Sequence, residues 1–336
     1  MKRPRIVSVA GAAIAFGMLC LTGAAGAQPS ADQVLKDFGL SVGEIQRVLQ
    51  GDYVNVKVTP VSERDLTFGT AFLCTLTPDR LTGEILAGLF ADSDPQVRAR
   101  GELGAPGSLS DLAGLKPTPD ETRALSKVEA GDRLNLSTGE IAAFQDVPGG
   151  ATGAVEQQLQ RTLLARYRAY RAYRESGLDG VIPYDRGRGQ TTSAASDLRE
   201  ATSGALVLRK HTPALHDVLL GYPKVTLAGL DERFLWVKSV IRGTPTYILS
   251  HILVAESGGA RAVVRREFFV SAGYNAEQAI AGFLPVEGGT VVVYTSHAFT
   301  DQVAGSGGSL KRSIGSRIMA DTLKAMFEAG RRRIER

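Results

Sequence analysis

Apolar residues recur at Val34, Leu35, Phe38, Leu40, Val42, Ile45, Val48 and Leu49, broken by Gly39 and Gly43, which predicts one or two short helices over residues 30–50. The period then drops to two at Tyr53-Val54-Asn55-Val56-Lys57-Val58. Residues 66–76 are rich in β-formers, and polar Ser62-Glu63-Arg64-Asp65 lies between the two runs, so a hairpin is expected. Thr77-Pro78-Asp79 opens a helix to about Phe90, with proline early in it. From about 91 to 153 glycine, proline and aspartate accumulate and no long period survives. Irregular loops are expected there, with short helices near 119–129 and 138–144. A long helix over 154–175 carries Leu159, Leu163, Leu164, Tyr167, Tyr170 and Tyr173, with Arg166, Arg168, Arg171 and Arg174 between the tyrosines. This stripe reads as a half-buried helix whose arginines reach water. Residues 196–220 are helical again.

The character then changes. Four extended apolar runs, 232–242, 246–256, 261–272 and 290–299, are joined by tight connections at Gly243-Thr244 and Gly258-Gly259, which predicts an antiparallel meander. The run from Phe234 to Ile241 is apolar on both faces, whereas antiparallel sheets commonly leave one face to water. This sheet therefore needs two covers. One is the C-terminal helix that follows the glycine-rich stretch 305–309 and runs to about Arg333. Leu310, Ile314, Ile318, Met319, Leu323, Met326 and Phe327 are read as its apolar face, and Lys311, Arg312, Arg317, Lys324 and Arg331 to Arg333 as its basic face. The other cover is the helical middle segment or a bound apolar ligand. The fold class is α+β: an antiparallel sheet with a helical middle segment and a long C-terminal amphipathic helix. Residues 28–336 form one domain with a loop-rich and helical insertion at about 91–230.

Composition changes this picture at the N-terminus. Lys2, Arg3 and Arg5 precede an apolar run from Ile6 to Leu21 and then Ala25-Gly26-Ala27, the three parts of a secretory signal. Cleavage near Ala27 predicts a periplasmic or secreted protein. The 336-residue chain carries 39 Lys+Arg against 35 Asp+Glu, and removal of the signal leaves a near-even balance. That excludes the strong positive field expected of a nucleic-acid binder. Cys74 becomes the sole cysteine, so no intrachain disulfide forms, and its apolar run marks it as a small buried hydrophobe.

His211, His216, His251 and His297 carry no metal-ligand spacing, no G-x-S-x-G elbow is present, and the stretch 305–309 lacks the ending of a P-loop. The residues imply no metal and no cofactor. One constellation remains. With Gly243-Thr244 as a two-residue turn, Trp236 faces His251, and His251 faces Arg266. Phe234, Leu253, Val264, Lys238, Leu249 and Phe268 share that side of the sheet. Read functionally, Trp236, Tyr247, Phe268 and Tyr294 line an apolar pocket in which His251 and Arg266 orient a ligand. Read plainly, Trp236 belongs to the core while His251 and Arg266 lie on a solvated face. Glu267 points to the other side of the pleat from His251.

The run Gly273-Tyr274-Asn275-Ala276-Glu277-Gln278-Ala279-Ile280-Ala281-Gly282-Phe283-Leu284-Pro285-Val286, with Gly289-Thr290-Val291-Val292-Val293-Tyr294 and residues 299–305, resembles an uncharacterised family of exported bacterial proteins. That resemblance implies no activity. The order of elements resembles START-like, or helix-grip, domains, which implies a cavity between sheet and C-terminal helix that takes a lipid, sterol or polyketide. The leading expectation is an exported protein that binds or carries a hydrophobic small molecule. The alternatives are a cyclase or hydrolase using His251 or His297, and an envelope interaction protein that touches anionic lipid through the basic face of its last helix.

Overall fold

The computed structural model describes residues 30–131, 134–148, 151–171, 177–305 and 307–334, so the expected signal segment, Tyr173 and Arg174 lie outside the described residues. The strands are β1 (Val54–Asn55), β2 (Asp65–Cys74), β3 (Val97–Leu103), β4 (Tyr184–Asp185), β5 (Thr191–Thr192), β6 (Asp231–Ile241), β7 (Thr244–Ser257), β8 (Ala260–Val270), β9 (Ala276–Val286) and β10 (Gly289–Phe299). Apart from the small β4–β5 ladder they make one antiparallel eight-stranded sheet, ordered β1-β2-β10-β9-β8-β7-β6-β3. The N-terminal strand pair thus joins the C-terminal meander in a single sheet.

The helices are α1 (Ala31–Asp37), α2 (Val42–Leu49), α3 (Pro78–Leu86), α4 (Leu89–Ser93), α5 (Pro119–Ser126), α6 (Thr138–Gln145), α7 (Thr152–Arg171), α8 (Ala194–Gly204), α9 (Leu206–His211), α10 (Pro213–Gly221) and α11 (Gly308–Ile334). Side-chain oxygens of Ser30, Ser41, Thr77, Thr118, Ser137 and Ser193 cap the starts of α1, α2, α3, α5, α6 and α8. Two runs that read as single helices are broken. Gly88, at φ 105°, separates α3 from α4, and the stretch 196–220 divides into α8, α9 and α10 at Ala205 and Thr212.

Both faces of the sheet are covered. On the first face, Leu249, Phe234, Trp236, Phe268 and Phe269 pack against Leu159, Leu163, Tyr167 and Tyr170 of α7, while Leu253 and Val264 meet α9 and α10. On the second, Phe72, Phe283, Val292 and Tyr294 meet Leu81 and Ile85 of α3 and Leu323 and Phe327 of α11. The apolar residues on both sides of β6 and β7 are explained by these two helical layers.

Three expectations change. The connection of β6 and β7 is Arg242-Gly243, both left-handed (φ 49° and 80°), the geometry of a twist-matched two-residue hairpin. Phe234 therefore faces His251, and Trp236 faces Leu249, a shift of two residues that leaves every side chain on its expected face. The pairing of His251 with Arg266 stands, but a bulge after Leu249 sets Phe269 opposite it and brings both Phe268 and Phe269 into the same core. Besides the small β4–β5 ladder, two strands of the large sheet lie where none was expected. β3 crosses the segment read as irregular; in it Arg98, Arg100 and Glu102 alternate with small residues, and Gly101 leaves room for the indole of Trp236. β9 mixes Ile280, Phe283, Leu284 and Val286 with three alanines, Glu277, Gln278, Gly282 and Pro285, weak strand formers held by partners on both sides.

Candidate functional site

A polar line crosses the middle of the first face. Phe234, His251, Arg266, Gln278, His297 and Thr67 occupy successive strands on one rung. His251, Arg266 and Gln278 are fully buried and His297 nearly so, which overturns the reading of His251 and Arg266 as a solvated face. Their polar atoms are met from above. His251 stacks on Phe234 with ring centroids 4.2 Å apart; its Nε2 lies 2.9 Å from Glu232 Oε2 and its Nδ1 lies 3.0 Å from the Tyr170 hydroxyl. Burial pushes the His251 pKa down to about 4 against the opposing pull of Glu232, so the ring is neutral at pH 7. In that state Nε2–H donates to Glu232, and Nδ1 accepts from Tyr170.

Arg266 donates from Nε to Gln278 Oε1 at 2.9 Å and from Nη2 to Thr202 Oγ1 at 2.7 Å. His297 Nδ1 lies 2.8 Å from Asp65 Oδ2, which also accepts the Val61 amide. Beside it, Arg64 pairs with buried Asp197 and with Asp301, and Arg186 bonds Asp301 at 3.0 Å and Asn275 at 2.9 Å. Burial lifts the Asp197 carboxyl to about 7 despite Arg64. This net ties the loop before β2, α8 and the β4–β5 hairpin to the turn that precedes α11.

Five of the six expected site residues share this face, each held by packing or hydrogen bonds within the protein. Trp236 donates to the Asp111 carbonyl at 2.7 Å, Tyr247 donates to Glu121, and Phe268 stacks on Tyr170 at 4.1 Å. With His251 and Arg266 they are sealed beneath α7, where Tyr167, Tyr170 and Tyr222 fill the space that a ligand would need. Tyr294 projects from the opposite face, edge-on to Phe327 at 4.9 Å. The arginine stripe of α7 also differs from expectation. Arg168 is exposed, but Arg166 is buried and paired with Glu140.

Concave space lies on the second face instead. Between α11, α3 and the sheet lies an apolar slot lined by Phe72, Cys74, Leu81, Phe283, Tyr294 and Phe327, with Ala281 and Arg331 also in its lining. Its free volume is about 30 Å³, room for about one water-sized body. Arg331 also borders a more open groove of about 310 Å³ with Gly51, Tyr53, Glu328 and Arg332. The two spaces meet at a cation, with the Arg331 guanidinium 5.6 Å from the Tyr53 ring centroid. Beyond Tyr294 on the same face, Arg265 bonds Glu277 at 2.9 Å, Ser296 donates to the other oxygen of Glu277, and Tyr274 donates to Glu267. Glu267 thus lies across the sheet from both histidines, and the carboxylates that those histidines do meet are Glu232 and Asp65. Burial, reinforced by Glu277, raises the Glu267 pKa.

Of the slot residues, sequence reading singled out only Tyr294 as a ligand contact. Cys74 and Phe327 were visible as apolar positions, and Phe283 falls in the run that carries the family likeness; what joins them is a chain crossing that no local pattern encodes. Among the described residues no group of three or more His, Cys, Asp or Glu side chains is placed to hold a metal ion. Comparison with protein families, with curated proteins and with solved structures yields no match to this chain.

Proposed function

We propose that the protein binds a single-chain amphiphile, such as a fatty acid, with its tail between α11 and the sheet and its anionic head at Arg331 and Arg332. The observation that carries this reading is that Arg331 lines both the apolar slot and the open groove beside it. Apolar walls with one charged group at the rim suit a ligand of that kind. The slot is nearly closed, so the tail displaces the helix rather than entering a void. α11 is 27 residues long and buries Leu323 and Phe327 among its large side chains, while Met319, Met326 and Ile334 are half-buried against the same core. Two large side chains contribute about 3–6 kcal/mol to its seating, and glycines at 305 and 307, both left-handed, precede it. A C-terminal helix laid over an antiparallel sheet and the basic, apolar and small-residue pattern of residues 2–27 support the reading of an exported protein that meets such a ligand outside the cytoplasm.

The test is titration with a fluorescent fatty acid. Saturable binding is expected, weakened about tenfold or more by Ala281→Leu, which adds bulk to the slot lining, and by Arg331→Gln for the acid but not for its alcohol. Ligand should also shield Cys74 from a thiol reagent. Absence of saturable binding, or equal affinity in Ala281→Leu, would show that the slot is only a packing seam.

A further inference from the structure

The outer face of α11 carries a feature that neither core uses. Leu310, Ile314 and Ile318 stand on successive turns and are 67%, 53% and 49% exposed, while Leu323 and Phe327 on the inner side are buried. The single apolar face read from the sequence is therefore two faces. The outer stripe spans about 12 Å of helix. Single exposed hydrophobes are ordinary on a protein surface, but three aligned branched side chains mark a contact surface. Charge identifies what it meets. From Gly308 to Ile334 the helix has seven basic residues, Lys311, Arg312, Arg317, Lys324, Arg331, Arg332 and Arg333, against Asp321 and Glu328. Lys311 and Arg317 flank the stripe, and neither is paired among the described residues. By helical geometry Asp321 falls in line with the stripe one turn beyond Ile318, which limits the apolar patch to the first three turns.

We infer that this face docks on an anionic lipid bilayer, with Leu310, Ile314 and Ile318 entering the interface and Lys311, Arg317 and Lys324 lying among the headgroups. Apolar residues bordered by lysine and arginine on an otherwise polar helix are the pattern of an interfacial helix. A second copy of the chain fits less well, because mating the stripe with itself sets the same basic residues against one another. The inference stands on the outer face of α11 alone and does not need the slot to take a ligand.

Vesicle co-sedimentation tests it, with phosphatidylcholine vesicles with and without phosphatidylglycerol. The full chain should bind the anionic vesicles, more weakly in high salt, and hardly bind the neutral ones. The triple variant Leu310→Ser/Ile314→Ser/Ile318→Ser should lose about tenfold or more in partitioning, as should Lys311→Gln/Arg317→Gln. These are surface positions, and circular dichroism checks that the fold is kept. Every variant has the same N-terminal segment, so the differences read α11. Ile314→Trp adds a second readout: its emission should shift to the blue and be quenched by brominated lipid, while buried Trp236 is unaffected. Wild type that ignores anionic vesicles, a triple variant that binds as well as wild type, or a dimer that the triple variant dissociates without any vesicle binding would each overturn the inference. Fatty-acid affinity of the triple variant separates the two readings, since the slot residues are untouched.

Discussion

His251 lies in the middle of the sheet as a neutral ring, and burial raises the carboxyl of Asp197 on α8; the two pull stability in opposite directions with pH. The folded His251 pKa of about 4 is below the ordinary value of 6.5, so the unfolded chain takes up a proton first. Its contribution is complete above about 6.5 and is lost as pH falls toward 4, a change on the order of 3 kcal/mol. Asp197 is raised from 3.8 to about 7, so its contribution declines as pH rises across that window. Denaturant titrations from pH 4 to 7 should reveal the cancellation. His251→Asn is expected to leave a stability that falls more steeply with rising pH than wild type, and Asp197→Asn one that rises more steeply; parallel profiles in all three would refute these assignments. Part of this was legible in the sequence. The alternation of β7 and β8 put His251 and Arg266 on one face, and Glu267 on the other. Their burial was not legible, because Tyr170 and Thr202 reach them from α7 and α8, which no local pattern connects to these strands.

At the scale of elements, periodicity located α11, α7 and the meander, and said nothing of depth. Leu310 and Phe327 look equivalent on a hydropathy plot, yet one faces outward and the other seals the slot. β3 escaped notice because the inward face that alternates with Arg98, Arg100 and Glu102 has only Ala99 and Gly101 at its centre, and β9 because Glu277, Gln278, Gly282 and Pro285 interrupt its apolar residues. What fixes β3 is a close fit: a Cβ at Gly101 would stand 2.5 Å from Trp236 Nε1. Gly101→Ala should therefore cost about 1–3 kcal/mol in chemical denaturation. Since Trp236 is the only tryptophan, its fluorescence should shift as the indole is pushed off the Asp111 carbonyl. An unshifted spectrum with wild-type stability would mean that β3 gives way at no cost.

Across the whole molecule, the strands form in two classes of connection. β6 to β10 are sequential neighbours joined by short loops, whereas β2 pairs with β10 across the chain, Asp65 meeting Phe299. Contacts that close long loops form late. Pulse-labelled hydrogen exchange during refolding should show amides of β6 to β9 protected before those of β2; simultaneous protection would argue for a nucleus that already includes the N-terminal pair. The order β1-β2-β10 was foreseeable only as membership of one sheet, since hydrophobic alternation does not say which edge a distant strand joins. The same blindness applies to the sliding of neighbours, and here the buried rung has a further consequence. Moving one strand past the next by two residues keeps every apolar side chain on its proper face, so the in–out pattern by itself does not forbid it. Such a move of β7 along β8 would set His251 opposite Val264 or Phe268 and leave Arg266 opposite a leucine, with His251 parted from the Tyr170 hydroxyl above it. The line of polar side chains thus acts like the wards of a lock: it contributes little net attraction, and it admits one alignment of the strands while barring the others.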